Sequence, residues 1–497
     1  MPNRKLSNGH SGWYTAILFI CPVVTAACSI QPSSAGKAEL SAFVSDKVAR
    51  VGASQEPLDQ PIDLQQAIAR VLKYNLDRKV EGLNLALANK ELHVATERSF
   101  PSLVAGSAYA RRDADYALSS RSTITGQQSL EPSISQERSG LAADLSISWS
   151  ILDFGLSYVR AQQAADAALI AAEMRRKTTV RLVGEVRNLY WRAVAHQRMT
   201  KALRRVRLLI EKAVPKGRPL IHEDLPELEV RRAYLESLRD IRVVVDQLAV
   251  SKIQLANLLD APPGTDLQLV EISHALPKLD ELASRSKMID VALHGRPEIK
   301  DILYRGRINV QEVNAALLEL LPGLQLQVGE NFDNNPFLSH HSWAGLSTRV
   351  GWNLVKLAQY PSRRDSIRLQ GDVLDQKAVA MAAAVILQVD VGRIKLKHAV
   401  AHVRSADELL SLQKTILTKT RDRAGVGENA QPAIIQEEIR LLWASIRSDL
   451  SYAQLQSSVA ALNAAMGVDS GDANFQDPLT PDKLASIFKS KSKQGRT

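Results

Sequence analysis

Leu141, Ala143, Leu145, Ile147, Trp149 and Ile151 alternate with Ala142, Asp144, Ser146, Ser148 and Ser150. A period of two predicts a strand with one apolar and one polar face. The alternation returns in Ala344, Leu346, Thr348, Val350, Trp352 and Leu354, and Leu324, Leu326 and Val328 share one face after Pro322. The stretch from Pro101, "PSLVAGSAYARRDADY", also reads as strand, followed by a Ser/Gly-rich loop to about 140.

Elsewhere the period changes to that of helices. Asp63 with Gln66 three residues on forms a capping box that opens a helix predicted to run to Phe100, where Pro101 stops it. From Leu156 to Val214 there is no proline and one glycine, Gly184, which predicts a helix of roughly 90 Å. Leu182, Val186, Leu189 and Ala193 have the 4-3-4 spacing of a packed seam. "PKGRP" at 215–219 breaks this helix, a second returns over about 227–260, and "DAPPG" ends it. The second half does the same. A helix from "GRPEIKD" reaches Pro322, two strands follow, and a proline-free run from Ser362 to Gln431 supplies a long helix broken near "RAGVG". A return helix ends at "LNAAMG". The order helix, strand, strand, long helix, turn, returning helix thus occurs twice, with "FPSL" at 100 matching "LPGL" at 321 and Trp149 matching Trp352. This reads as an internal duplication.

The beginning of the chain reads as a targeting segment. Arg4 and Lys5 precede the apolar run "WYTAILFICPVVTAA", which ends in small residues, the pattern of an export signal. Cleavage before Cys28 leaves "CSIQPSSAGK", and "VTAAC" is similar to a bacterial lipobox, with Thr25 in place of the usual Leu. An ordinary signal peptide with an incidental cysteine is the alternative. The only other cysteine is Cys21, so residues after Cys28 have neither a disulfide framework nor a cysteine-based metal site. The predicted divisions are a signal peptide over 1–27, a tether over 28–61, repeats over 62–260 and 297–467 joined by 261–296, and a polar, disordered tail over 468–497.

Composition adds little that the pattern does not. Aromatics are 5% of the 497 residues and hydrophobics 45%, which favours long helices. A net charge of +10 suits acidic partners, but no basic run with interleaved aromatics points to nucleic acid. His398 and His402 stand at i, i+4 without the Glu of an HExxH motif, and His340-His341 fall in a predicted loop. "GVGENA" at 425 lacks the third glycine of a nucleotide fingerprint. No enzyme, cofactor or metal is expected.

Several runs together carry a resemblance to the TolC-like outer membrane efflux protein family. They are "DLQQAIARVLKYNLD…LALANKEL", "FPSL", "LSISWSILDFG", "RPEI…ALLELLPGLQL", "RDRAGVG" and "LNAAMG", in that order over about residues 62–467. The chain departs from the family at "LVKLA", 354–358, where a Phe-Gly turn is usual, and in the extra prolines of "PKGRPLIHEDLPELE". The resemblance implies a mainly α protein with a transmembrane β-barrel portion: a trimer sharing one twelve-stranded barrel above a long helical tunnel in the periplasm. Physics agrees, because a hairpin alone in lipid exposes unpaired backbone and strands must close. Four strands per chain give twelve in a trimer. The implied role is a passive exit duct, anchored in the outer membrane by lipid on Cys28, that receives substrates from an inner-membrane transporter through a periplasmic adaptor. A periplasmic adaptor or a coiled-coil scaffold lipoprotein is the alternative.

On that reading Gly217, Arg218, Gly425, Val426 and Gly427 lie at the helix-hairpin tips, where glycine lets a partner approach the backbone. Glu223, Asp224 and Glu227, with Glu437 and Glu438, lie just past the tip breaks and would form an acidic ring at the tunnel mouth. Ala433 and Gln436 occupy the positions where the family's aspartates are expected. The alternative is a solvated helix start favoured by the dipole. Arg198, Lys201, Arg204, Arg205, Arg207, Lys212, Lys216 and Arg218 predict a basic outward face near one tip.

Overall fold

The computed structural model describes residues 33–51, 56–58, 60–128, 131–213, 224–262, 264–271, 275–277, 284–424 and 431–467. Contacts divide the chain into two units, Met1–Glu56 and Pro57–Thr497. Cys28, Gly217, Arg218, Glu223, Gly425, Val426 and Gly427 all lie outside the described residues.

In the first unit the segment read as a tether holds a helix, α1 (Lys37–Arg50), none of whose residues is buried. Leu40, Phe43, Val44 and Val48 fall at helical spacing along it and are exposed.

The second unit opens with α2 (Leu64–Tyr74), which the expected capping box starts: the Asp63 side chain accepts from the Gln66 amide at 2.8 Å, and the Gln66 side chain accepts from the Asp63 amide at 2.9 Å. This helix does not run to Phe100. It stops at Asn75, whose side chain accepts from the Arg78 amide and so caps a new helix, α3 (Leu76–Glu97). The Asn75 amide also donates to the Leu258 carbonyl, which holds the break against a distant helix. Asn at a cap offers the backbone an alternative to helix, and here that local preference wins.

Next come β1 (Ser102–Arg111), a two-stranded ribbon of β2 (Ala117–Leu118) and β3 (Ser133–Ile134), and β4 (Ser139–Ser150). The long helix α4 (Ile151–Ala213) and its return α5 (Leu225–Leu258) complete the first half. The second half runs α6 (Arg285–Gly295), α7 (Pro297–Leu318), β5 (Gly323–Asp333), β6 (Ser342–Gly351), α8 (Val355–Ala424) and α9 (Gln431–Ala465). The halves share one order of main elements apart from the β2–β3 ribbon, and their shorter helices are close in length, whereas α4 has 63 residues and α8 has 70. α2 and α6 have 11 residues each, α3 and α7 have 22, and α5 and α9 have 34 and 35.

Two boundaries differ from the sequence expectation. α4 starts directly on Ile151, so the last apolar residue of the alternation belongs to the helix. α8 starts at Val355 and carries Pro361 inside it, whereas β6 ends at Gly351, before Trp352 and Leu354. Pro361 lies seven residues into a helix of 70, so it removes one intrahelical hydrogen bond near an end that is already short of partners.

The largest core gathers where α2, α4, α5, α8 and α9 meet, and it holds Leu182, Val186 and Ala193 of the predicted seam, each fully buried. Tyr190 is buried there, and its single hydroxyl proton is shared between the carbonyls of Ile62 and Val270, at 3.1 and 3.0 Å. Burial pushes its phenol well above the ordinary tyrosine value. Trp191 meets Tyr452 edge-on at 4.6 Å, and the Tyr452 hydroxyl accepts from the Ala275 amide at 3.2 Å. Tyr190 on α4 and Tyr452 on α9 thus tie the inter-repeat segment, at Val270 and Ala275, to the long helices. A second core lower on α4 and α5 joins them to α9 through Met199, Ile241 and Ile446.

Candidate functional site

The four main strands form one antiparallel sheet in the order β1-β4-β5-β6. Its register puts Leu103, Leu141, Leu145, Ile147, Trp149, Leu326, Val328, Leu346 and Val350 on one face. Asp144, Ser146, Ser148, Gln325, Gln327, Asn331, Ser347 and Arg349 fall on the other. The exposure is inverted relative to a sheet on a water-soluble core: Leu145 and Ile147 are 51 and 52% exposed, while Ser146 is 5% exposed. The polar face is knitted together by side chains, with Gln325 donating to Ser148 at 2.8 Å and Gln327 to Ser146 at 3.1 Å. Gly329 is required on that face, since a Cβ there would come within 2.6 Å of the Leu145 carbonyl oxygen. Two charges break the apolar face, Glu330 opposite Leu145 and Arg111 at the end of β1 opposite Ser139.

The sheet is open. β1 pairs only with β4 and β6 only with β5, so each edge leaves a row of backbone groups without a strand partner. Long free edges beside an apolar face are what proteins avoid unless another strand covers them. The helices follow the same order, since α3 leads into β1, β4 into α4, α7 into β5 and β6 into α8. α3 packs on α4, α4 on α7 and α7 on α8, which leaves α3 and α8 as the outer members of the row. Both carry apolar stripes with no cover. Leu76, Val80, Leu83 and Leu87 on α3 are each more than half exposed, as are Leu369, Val373, Leu387 and Ile394 on α8.

Just below the sheet a charged network fastens the row. Glu312 on α7 accepts from Arg160 of α4 at 2.6 Å, from Gln163 at 3.1 Å and from Arg363 of α8 at 3.1 Å. Glu319 accepts from Arg363 at 2.7 Å and Lys356 at 3.3 Å. Hydrogen bonding from Arg363 holds the Glu319 carboxyl below its usual range. Burial pushes Glu312 up, but the bonds from Arg160, Gln163 and Arg363 outweigh it and its value is also lowered. None of these residues stood out in the sequence, because they are scattered over three helices in no linear pattern.

The expected acidic residues do not share one environment. Asp224 is an exposed N-cap of α5 that makes no side-chain capping bond, and Glu227 falls in the first turn of that helix. Glu437 is taken up by Gln413 of α8 and by Arg440, the latter at 2.7 Å. Glu438 is 2% exposed, bonded to Arg421 of α8 and 3.8 Å from Arg205 of α4. It is a tie between three helices near the hairpin ends. The basic run of α4 is exposed at Lys201, Arg204, Arg205 and Arg207, and several of its members are also paired. Arg198 pairs with Glu271 and Asp449, Lys201 with Glu271, Arg205 with Glu438 and Arg207 with Glu211. His398 and His402 are exposed, and no group of metal ligands occurs among the described residues. No helix among the described residues is long and apolar enough to cross a membrane.

The sequence matches no protein-family model and no curated protein. Solved structures do match. The CmeC outer membrane channel of Campylobacter jejuni is 14% identical over 93% of this chain and 97% of its own, with a TM-score of 0.63. The open-state MtrE outer membrane channel of Neisseria gonorrhoeae is 16% identical over 81% and 88%, with a TM-score of 0.62. CusC, whose structures concern folding and transmembrane channel formation, is 15% identical over 88% and 99%, with a TM-score of 0.61. The chain therefore has the fold of the TolC-like outer membrane channels, nearly end to end.

Proposed function

We propose that this chain forms the outer-membrane duct of an efflux or secretion assembly, as a homotrimer closed edge to edge. The observation that carries the reading is the sheet turned inside out, with apolar residues outward, polar residues inward and both edges open. Backbone groups in lipid must be paired, so such a sheet belongs in a membrane only when its edges close on other strands. β6 of one copy pairs with β1 of the next, and three copies give a twelve-stranded barrel with a polar interior. The stripes of α3 and α8 meet along the same seam and continue the wall below the membrane. The two halves, alike in the order of their main helices and strands, derive from a duplication.

The duct conducts passively. The energy comes from an inner-membrane transporter, through a periplasmic adaptor that meets the tips around Gly217, Arg218, Gly425, Val426 and Gly427. The acidic mouth rests on Glu223, Asp224 and Glu227, because Glu437 and Glu438 are engaged with Arg440, Gln413 and Arg421. Cys28 is the acyl acceptor that adds a lipid anchor to the barrel.

Within one chain β1 and β6 are separated by two strands, or about 14 Å, too far for a disulfide. Ala105→Cys on β1, combined in turn with a cysteine at each position from Ala344 to Val350 on β6, is expected to give covalent trimers in native membranes at one register. Failure at every register would overturn edge-to-edge closure. Radioactive palmitate fed to the same cells is expected to label the wild type and not Cys28→Ser. Label retained in that variant would remove the anchor from the proposal.

A further inference from the structure

A groove of about 960 Å³ runs between α4, α7 and α8. α7 packs on both neighbours, so it is the floor, and α4 and α8 are the walls. The lining is mainly apolar: Leu293 at the end of α6, Ile299, Leu303 and Val310 along α7, and Leu374 and Ala378 on α8. Leu303 and Val310 are each 59% exposed. Gly306 lies between them, and a Cβ placed on it meets no atom within 4 Å, so the space over the floor is open.

The described chain ends beside the mouth of this groove. Gly467, at a φ of +62°, is pressed against Gly295 so closely that a Cβ on it would come within 2.6 Å of the Gly295 carbonyl carbon. Arg176 donates to the Gly467 carbonyl at 2.7 Å, and Arg296 to the Ala464 carbonyl at 2.9 Å. The end is thus pinned at the α6–α7 junction, two residues from Leu293. Residues 468–497 follow. They are mostly polar, but "KLASIFKSKSK" at 483–493 sets Leu484, Ile487 and Phe488 at i, i+3 and i+4. Lys483, Lys489, Lys491 and Lys493 flank these three. The ~16 residues before Leu484 span up to ~50 Å when extended, whereas Gly295 to Gly306 along the helical segment is about 17 Å. Reach is therefore ample. The walls carry Asp375, which is exposed, and Asp166, which already shares Arg307 at 2.8 Å. The exposed Asp375 suits the basic flanks.

We propose that the chain's own residues 483–489 dock in this groove, with Leu484, Ile487 and Phe488 covering Leu303, Gly306 and Val310. The segment straps the α7 floor to both walls from the pinned end at Gly467.

The test places a photo-crosslinking benzoylphenylalanine at Leu303 in the purified full chain. Illumination is expected to join position 303 to the tryptic peptide 484–489, in a product of monomer mass. The paired change Ile487→Asp and Phe488→Asp is expected to remove that product. So is Gly306→Trp, which sends an indole into open space and leaves thermal unfolding unchanged. The proposal is overturned by a product of dimer mass, by attachment to α3 or to residues 37–51, by a product that survives Ile487→Asp with Phe488→Asp, or by no product at all.

Discussion

Gly329 shows how much one missing side chain decides. Its neighbours across β4, the Leu145 carbonyl and Ser146, leave no room for even a methyl group. Gly351, at the end of β6, has nothing within 4 Å of the same position. Gly329→Ala is therefore expected to destabilise the protein by about 1–3 kcal/mol, as overpacking does, while Gly351→Ala leaves it close to wild type. Thermal unfolding in detergent compares the two, and equal melting temperatures would refute the crowding seen around Gly329. The sequence displayed the strand that holds Gly329, through the alternation of its neighbours, but not the crowding, which depends on β4 more than 180 positions away. Glu438 makes the same point. From the sequence it is one of two adjacent acids near a turn. Only the packing of α4 and α8 onto α9 reveals it as buried and paired with Arg421.

Helices and strands were the most legible level. Period two found three of the four main strands, the stretch after Pro101 read as the fourth, and proline and glycine punctuation found both long helices and their returns. The misses were local. Asn75 breaks a helix without proline or glycine, because its side chain caps α3 and reaches Leu258. Pro361 failed to mark the start of α8, since a helix so long tolerates one lost bond near its end. What holds α4, α7 and α8 together beneath the sheet, the Glu312, Glu319 and Arg363 network, has a consequence for acid stability. Both carboxyls sit below their ordinary range in the folded protein. Their contribution is therefore complete above the ordinary glutamate value and is lost as pH falls through the lowered ones. Melting temperature is expected to be flat above about pH 5 and to decline between about pH 5 and 3. Glu319→Gln should flatten that decline, modestly because the partners are partly exposed. An unchanged slope in the variant would show that other groups govern the acid limit.

For the whole molecule, the order of elements conveyed the fold from sequence, whereas the tips could be read only as turns. Their role is open to a direct trial. On the proposed role of the tips, Gly425→Trp is expected to assemble in the outer membrane at wild-type level and yet fail to support efflux, because added bulk would keep the proposed adaptor away. Normal efflux through that variant would move docking elsewhere. The two free sheet edges also bear on heredity. A ring closed head to tail uses both edges of every member, so one copy with a spoiled β6 edge opens any ring it joins. For the proposed trimer, in a cell making equal amounts of normal and edge-damaged copies, random mixing in threes leaves only about one ring in eight intact. Such an allele would act dominantly, whereas an allele that abolishes the protein altogether would be recessive.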